Sequence, residues 1–337
     1  MRSEIRIDLA ALRQNVRTLL AALDGAELWA VVKANAYGHG AVDCAAAAID
    51  AGATAVCVAT VPEALELRPS FPAARILVLG PAAPSDLPRA REARLELCVS
   101  GPIPEGVAVH LKLDTGMGRW GMSELVAPTR DVVGVMTHLA TADTDPAFAR
   151  RQVERFREAT ASYPELTRHV ANSAATLRLP EARFDAARCG IAVYGLSPFT
   201  TDASADALAP VLSWRSEVAL SKHLQPGDST GYGRRFVAER PTWVGIVPVG
   251  YADGFRRDLD GAEVLVDGER RRVVGAISMD AIAVELDGEV AAGTPVILIG
   301  GGLPLEEHAR AAGTIAHDFA SGIVSRTTRA RRVVVDG

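Results

Sequence analysis

Apolar residues recur every three to four positions at Leu9, Leu12, Val16, Leu19, Leu20 and Leu23, with Asp8 in front and Gly25 behind. This spacing predicts an amphipathic helix. A continuous apolar run over residues 28–32 then ends at Lys33, the pattern of a strand covered on both faces. The same unit recurs: strands are expected to end near Thr60, Gly80, Ser100, Asp114, His138, Asn172 and Gly190. Helical patterns over residues 41–51, 85–93 and 146–161 lie between several of them. Eight apolar strands, mostly separated by helices, predict a (β/α)8 barrel over residues 8–200. A doubly wound sheet is the main competitor, but no Gly-x-Gly-x-x-Gly follows the first strand. Residues 100–107 and 121–131 are too short and too rich in Pro and Gly for packed helices, so two shortened crossovers are expected.

Beyond residue 205 the texture changes. Short, often alternating segments (211–219, 242–249, 263–267, 273–276, 281–286 and 295–299) are separated by turns such as Asp267-Gly268 and Asp287-Gly288. They predict a mainly β domain over residues 205–337, with the boundary inside 198–210. Residues 1–7 are candidates to pair with that domain.

Composition narrows the partners. With 36 Lys and Arg against 41 Asp and Glu, the 337-residue chain has a net charge of -5, which gives no electrostatic reason to expect nucleic acid or an anionic membrane. The clusters at residues 270–272 and 329–332 read as solvated strand edges. No apolar run reaches the ~20 residues of a membrane span, and the first residues lack a secretory signal. Cys44, Cys57, Cys98 and Cys189 show neither a CxxC pair nor zinc spacing, so no metal is expected. Isolated thiols suit a reducing compartment, and a cytoplasmic location is expected.

Reactive groups of a parallel barrel belong at the carboxyl ends of its strands. Here those ends carry Lys33, Lys112, His138, Asn172-Ser173 and Arg188. Alone, Lys33 reads either as a charge reaching solvent or as an amine of lowered basicity able to form a Schiff base. The run Ala30-Val31-Val32-Lys33-Ala34-Asn35-Ala36-Tyr37-Gly38-His39-Gly40 resembles the pyridoxal-phosphate signature of the alanine racemase family. So do residues 112–119, Thr137-His138, Ala171-Asn172-Ser173-Ala174 and Gly190-Ile191-x-x-Tyr194-Gly195. In the second domain, Gly231-Tyr232-Gly233, residues 247–254 and Ser278-Met279-Asp280 match as well. The resemblance runs collinearly over nearly the whole chain.

It implies racemisation of L- and D-alanine with pyridoxal 5′-phosphate, Lys33 carrying the cofactor and serving as one base. Tyr232, from the partner subunit of a head-to-tail homodimer, is implied as the second base. Free tyrosine has a pKa of ~10, so nearby positive charge must help it ionise. Tyr37, Ser173, Gly190 and Ile191 match the family's phosphate ligands, with Asn172 beside them; Ser173 also reads as a helix cap. Arg188 matches the arginine facing the pyridine nitrogen, and His138 the histidine that hydrogen-bonds it. Arg119 and Met279 match contacts to the substrate carboxylate and the cofactor oxygen, and Tyr251 an entrance gate. Lys112 matches a lysine that some relatives carry as a carbamate.

Several positions depart from the pattern. Ser278 stands where many relatives have cysteine, and His317 where an aromatic is common. Asp318 and Arg326 fit the family's spacing, which puts Ser325 where some relatives bond the phosphate through tyrosine. Alternative readings are a racemase for serine or another small amino acid, and a non-catalytic pyridoxal-phosphate-binding homologue. Retention of Tyr232 and the second domain argues against the latter, because storage needs no opposite-face base.

Overall fold

A computed structural model of the protein describes residues 2–325 and 328–336. They form two compact units, one of residues 11–209 and one of residues 1–10 with 210–337. Strand β1 (Glu4–Asp8) belongs to the second unit and leads into the helix Leu9–Leu23, whose Leu12, Val16, Leu19 and Leu23 are buried.

Eight parallel strands close the first unit into a barrel: β2 (Glu27–Val31), β3 (Ala55–Val58), β4 (Arg75–Val78), β5 (Glu96–Val99), β6 (Ala108–Lys112), β7 (Val132–Met136), β8 (Thr167–His169) and β9 (Ala186–Cys189). Closure pairs β2 with β9, setting Trp29 opposite Arg188. Continuous apolar runs such as Ala55–Val58 are buried throughout, as expected of strands covered on both faces. Helices Ala41–Asp50, Val61–Leu67, Leu87–Glu92, Pro146–Thr160 and Ser173–Arg178 occupy the outer layer or follow strand ends. Residues 100–107 and 121–131 contain no helix, so β5–β6 and β6–β7 are joined by loops alone.

The second unit is a nine-stranded sheet with a two-stranded ribbon. Its strands after β1 are β10 (Leu212–Glu217), β11 (Leu220–Leu224), β12 (Ser229–Thr230), β13 (Phe236–Val237), β14 (Thr242–Val247), β15 (Glu263–Val266), β16 (Glu269–Val274), β17 (Ile282–Leu286), β18 (Pro295–Ile299) and β19 (Arg331–Val335). The sheet order is β11-β14-β17-β16-β15-β18-β10-β1-β19, and β12 pairs with β13. Strand β1 runs antiparallel to β10 and parallel to β19. Asp267 and Gly268, both at positive φ (51° and 83°), make the two-residue turn joining β15 to β16, with Val266 opposite Glu269. Leu224, Val244, Val274 and Ala283 pack as one apolar cluster inside the sheet.

Candidate active site

Lys33 directly follows β2 and opens an unusual turn. Ala34, Asn35, Ala36 and Tyr37 all adopt left-handed backbone, with φ of 51°, 52°, 54° and 53°, before Gly38 at 84°. Each such non-glycine residue costs about 1–2 kcal/mol, so the turn must be held by its surroundings. Glu63 accepts the Ala34 N–H at 2.8 Å and the Ala59 N–H at 2.7 Å, tying the turn to the next strand. Asn35 Oδ1 accepts from the Ala41 N–H at 2.9 Å. Below, Tyr194 donates to the Val31 carbonyl at 2.7 Å and packs against the rings of Tyr37 and His39. Asn35, Gly38 and Gly40 tolerate positive φ, but Ala34, Ala36 and Tyr37 give no local signal for it.

Burial, then the charge of Arg119, lowers the pKa of Lys33, while Glu63 partly offsets the effect. Lys112, at the end of β6, is likewise lowered, chiefly by burial and further by Arg188 and Arg119 against the opposing influence of Cys98. His138 is held well below its usual value by burial and by the fields of Arg188, Lys112, Arg119 and Lys33. Basic side chains from three strand ends and one loop thus act together on this imidazole. Asp114 shapes the loop that carries Arg119: its carboxylate accepts the Gly116, Met117 and Gly118 N–H groups at 2.8–3.2 Å. Trp120 lies over both Lys112 Nζ (5.3 Å) and the Arg119 guanidinium (5.1 Å).

Beside them, Ser173 Oγ accepts the N–H groups of Gly190 (3.1 Å) and Ala192 (3.3 Å). The helix cap is Asn172, which accepts the Ala175 N–H at 3.0 Å and leaves the Ser173 hydroxyl to the neighbouring loop. A Cβ on Gly190 would sit 2.4 Å from Tyr37 Oη, so only glycine lets that hydroxyl reach the backbone there. Ile191 opens the short 3-10 turn Ile191–Tyr194 and is buried. Hydroxyls and backbone N–H groups thus gather at the ends of β8 and β9.

Arg188, on β9, is buried. Its Nη1 donates to His169 Nδ1 (2.8 Å) and the His169 carbonyl (2.7 Å); its Nη2 donates to the carbonyls of Thr137 (2.8 Å) and Val170 (3.2 Å). His138 Nδ1 is more distant, at 3.4 Å. His169 is therefore the closer histidine, and the sequence reading did not single it out, although it stands three residues before Asn172. Its period-two position on a short strand gave no sign that it pointed inward.

The remaining candidates lie on the second unit. Tyr232 follows β12 between Gly231 and Gly233, both at positive φ, and is 70% exposed. Tyr251 and Met279 are 42% and 51% exposed. Their loops are laced together: the Tyr251 N–H bonds to the Ser278 carbonyl and the Ala252 N–H to the Met279 carbonyl. A Cβ on Gly250 would lie 2.2 Å from the Ser278 oxygen, so this approach requires glycine. Asp253, fully buried, accepts from Arg2 at 2.9 Å and from Arg329 at 2.8 Å, and Arg329 also reaches Asp280 at 2.8 Å. Ser325 is half-buried after the helix Ala316–Gly322, and Arg326 lies outside the described residues.

Among the described residues, no group of His, Cys, Asp and Glu is arranged to hold a metal ion, and no helix is long and apolar enough to cross a membrane. Comparison with known proteins is consistent over both units. The alanine racemase N-terminal domain family matches residues 7–198, and the alanine racemase C-terminal domain family matches residues 211–331. The alanine racemase of Levilactobacillus brevis is 39% identical over 364 aligned positions, covering 98% of each chain. That of Geobacillus stearothermophilus is 40% identical, covering 87% of this chain and 83% of its own. Among solved structures, alanine racemase from Streptomyces lavendulae superposes with a TM-score of 0.92 at 37% identity, covering 100% of this chain and 98% of that one. The Streptomyces coelicolor enzyme gives 0.91 at 39% identity, with the same coverage. On sequence and fold together, the chain belongs to the alanine racemase family.

Proposed function

We infer that this protein interconverts L- and D-alanine with pyridoxal 5′-phosphate, using Lys33 and Tyr232 of the partner subunit as bases on opposite faces of Cα. The observation that carries this reading is the hydroxyl-and-amide cradle of Ser173, Gly190 and Ala192, in a barrel whose strand ends also carry Lys33, Lys112 (with Arg119 on the same Trp120 ring) and Arg188 beside His138. Such a mouth suits a dianionic phosphate and a carboxylate in one place. The close approach of Tyr37 Oη to Gly190 leaves hydroxyl and backbone donors side by side, which fits a phosphate held by Tyr37, Ser173, Gly190 and Ile191. Asn172 assists by capping the helix that presents Ser173.

When bound, pyridoxal phosphate supplies an aldehyde that captures amines and a pyridine ring that draws electron density from the captured substrate. Lys33 is suited to the covalent link because burial and Arg119 favour its neutral, nucleophilic form. Once released by substrate, the same Nζ removes or returns a Cα proton on its own face. Tyr232 Oη serves the opposite face, and its exposure supports its use by a neighbouring molecule in a head-to-tail homodimer. Arg188 has only donors to offer, so it would hold the ring nitrogen of a bound cofactor unprotonated. By the family resemblance, Arg119 and the Met279 N–H are the candidate contacts to the substrate carboxylate, and Tyr251 the candidate gate. The lowered basicity of Lys112 keeps its amine free to take up carbon dioxide as a carbamate, whose negative charge would pair with Arg119. The buried thiols of Cys57, Cys98 and Cys189, outside any disulfide, suit work in the cytoplasm.

The test is reconstitution with pyridoxal phosphate, followed by chiral assay on a panel of L-amino acids. Formation of D-alanine well above D-serine is expected. Cofactor binding without turnover of any amino acid would instead support a carrier.

A further inference from the structure

Barrels of this kind are normally filled by branched apolar side chains. Here a polar column crosses the interior beneath the mouth. Arg188 Nη1 donates to His169 Nδ1 at 2.8 Å, His169 Nε2 lies 2.8 Å from His110 Nδ1, and His110 Nε2 lies 2.9 Å from Glu96 Oε2. Arg75 closes the far end with two bonds to the Glu96 carboxylate, at 3.0 and 3.2 Å. The column has its own built space. A Cβ on Gly134 of β7 would lie 2.2 Å from His110 Nδ1, so glycine at that position is what admits the ring. Trp29 packs against both imidazoles, with ring centroids 5.7 and 4.5 Å away.

The bonds can run in one direction only. A guanidinium has no acceptor, so His169 Nδ1 must be bare and its proton must sit on Nε2. That proton fixes His110 Nδ1 as an acceptor, which leaves the His110 proton on Nε2, aimed at Glu96. Both histidines are held below their usual pKa, mainly by burial, in keeping with two neutral rings. Glu96 is held down to about 2 against its burial by the hydrogen bonds from His110 and Arg75, so it stays an acceptor. A carboxylate placed directly on Arg188 would orient it and also cancel its charge. Two neutral rings orient it and leave the charge in place.

We propose that Glu96 is a positioning residue. Through the fixed tautomers of His110 and His169 it holds the Arg188 guanidinium in one pose while keeping its full positive charge toward the bound cofactor ring. This rests on the assignment of Arg188 in the preceding subsection, but the tautomers are testable without cofactor. In 15N-histidine NMR of the cofactor-free protein, His110 and His169 are expected as neutral rings protonated at Nε2. Glu96→Gln keeps an oxygen for His110 and is expected to keep both tautomers. Glu96→Leu leaves the buried His110 Nε2 proton without an acceptor, which favours the reversed tautomers at the expense of the Arg188–His169 bond and is expected to mix them. In the reconstituted enzyme, Glu96→Leu is expected to shift the visible absorption of the cofactor and lower kcat ~10-fold or more, with KM for alanine within about twofold; Glu96→Gln recovers most of both.

A cationic or Nδ1-protonated His110 or His169 in the unmodified protein would overturn the proposal, even if Glu96→Leu does not fold. So would a folded Glu96→Leu with unchanged tautomers, absorption and kcat. If the tautomers respond as expected but no amino acid is racemised, the column stands and the functional reading fails.

Discussion

The two residues read as bases sit in opposite kinds of surroundings. Lys33 opens four consecutive left-handed residues, pinned by Glu63, Asn35, His39 and Tyr194, and is buried within the field of Arg119. Everything that sets its chemistry lies within one compact unit. Tyr232 stands on a two-stranded ribbon between two glycines of positive φ, with most of its surface open. The contrast separates two ways of building a base. An amine must be desolvated to become nucleophilic, so its fold has to bury it and bear the strain. On the proposed head-to-tail pairing, a phenol serving the partner's substrate could stay at the surface, because assembly would complete its environment.

Replacing the two bases should break this comparison most directly. Lys33→Ala is expected to abolish racemisation, by ~10⁴-fold or more, and to remove the borohydride-fixable link to the cofactor. An unchanged cofactor spectrum in that variant would remove Lys33 from the mechanism. Tyr232→Phe is expected to bind cofactor normally and lose ~10²–10⁴-fold in rate in both directions together, since the equilibrium ties them. Cα exchange in heavy water separates the faces: exchange should be lost from L-alanine and kept from D-alanine. Undiminished exchange from L-alanine would exclude Tyr232 as its base.

Smaller effects sharpen the same contrast. Asp253→Asn leaves Arg2 and Arg329 without their buried carboxylate and is expected to cost about 3 kcal/mol in denaturant unfolding. It should also loosen the loops of Tyr251 and Met279, raising KM for alanine more than it lowers kcat. A variant of wild-type stability would show that the clamp is dispensable. Smallest is Lys33→Met in the cofactor-free protein. Because folding lowers the lysine pKa, the ammonium destabilises the fold fully below that lowered value and not at all above the usual ~10.4. Methionine should therefore raise the free energy of unfolding at neutral pH, with the gain fading as pH rises toward the ordinary lysine range. A gain independent of pH would point to packing alone.

Much of this was legible in the chain. The apolar runs ending at residues 33, 112, 138, 172 and 190 marked the barrel strands and, with them, the residues at the mouth. Asp267-Gly268 announced its hairpin because only such residues accept two positive φ angles in succession. The left-handed turn after Lys33 was not legible, since no local preference favours alanine and tyrosine there; Glu63, 29 residues away, and the stacked rings below make it tolerable. His169, His110 and Glu96 were missed for a related reason. Each sits on a short strand whose alternation does not tell which face closes inward, and their alignment exists only after eight strands close.

What the sequence by itself determined was the order of elements, the identity of the chemical groups and their places at strand ends, because periodicity and turn chemistry are local. The tertiary structure alone decided which groups became neutral, which hydrogen bonds acquired a direction and which strained turn could persist. Those properties depend on burial and on partners distant in sequence, and neither exists until the barrel is closed.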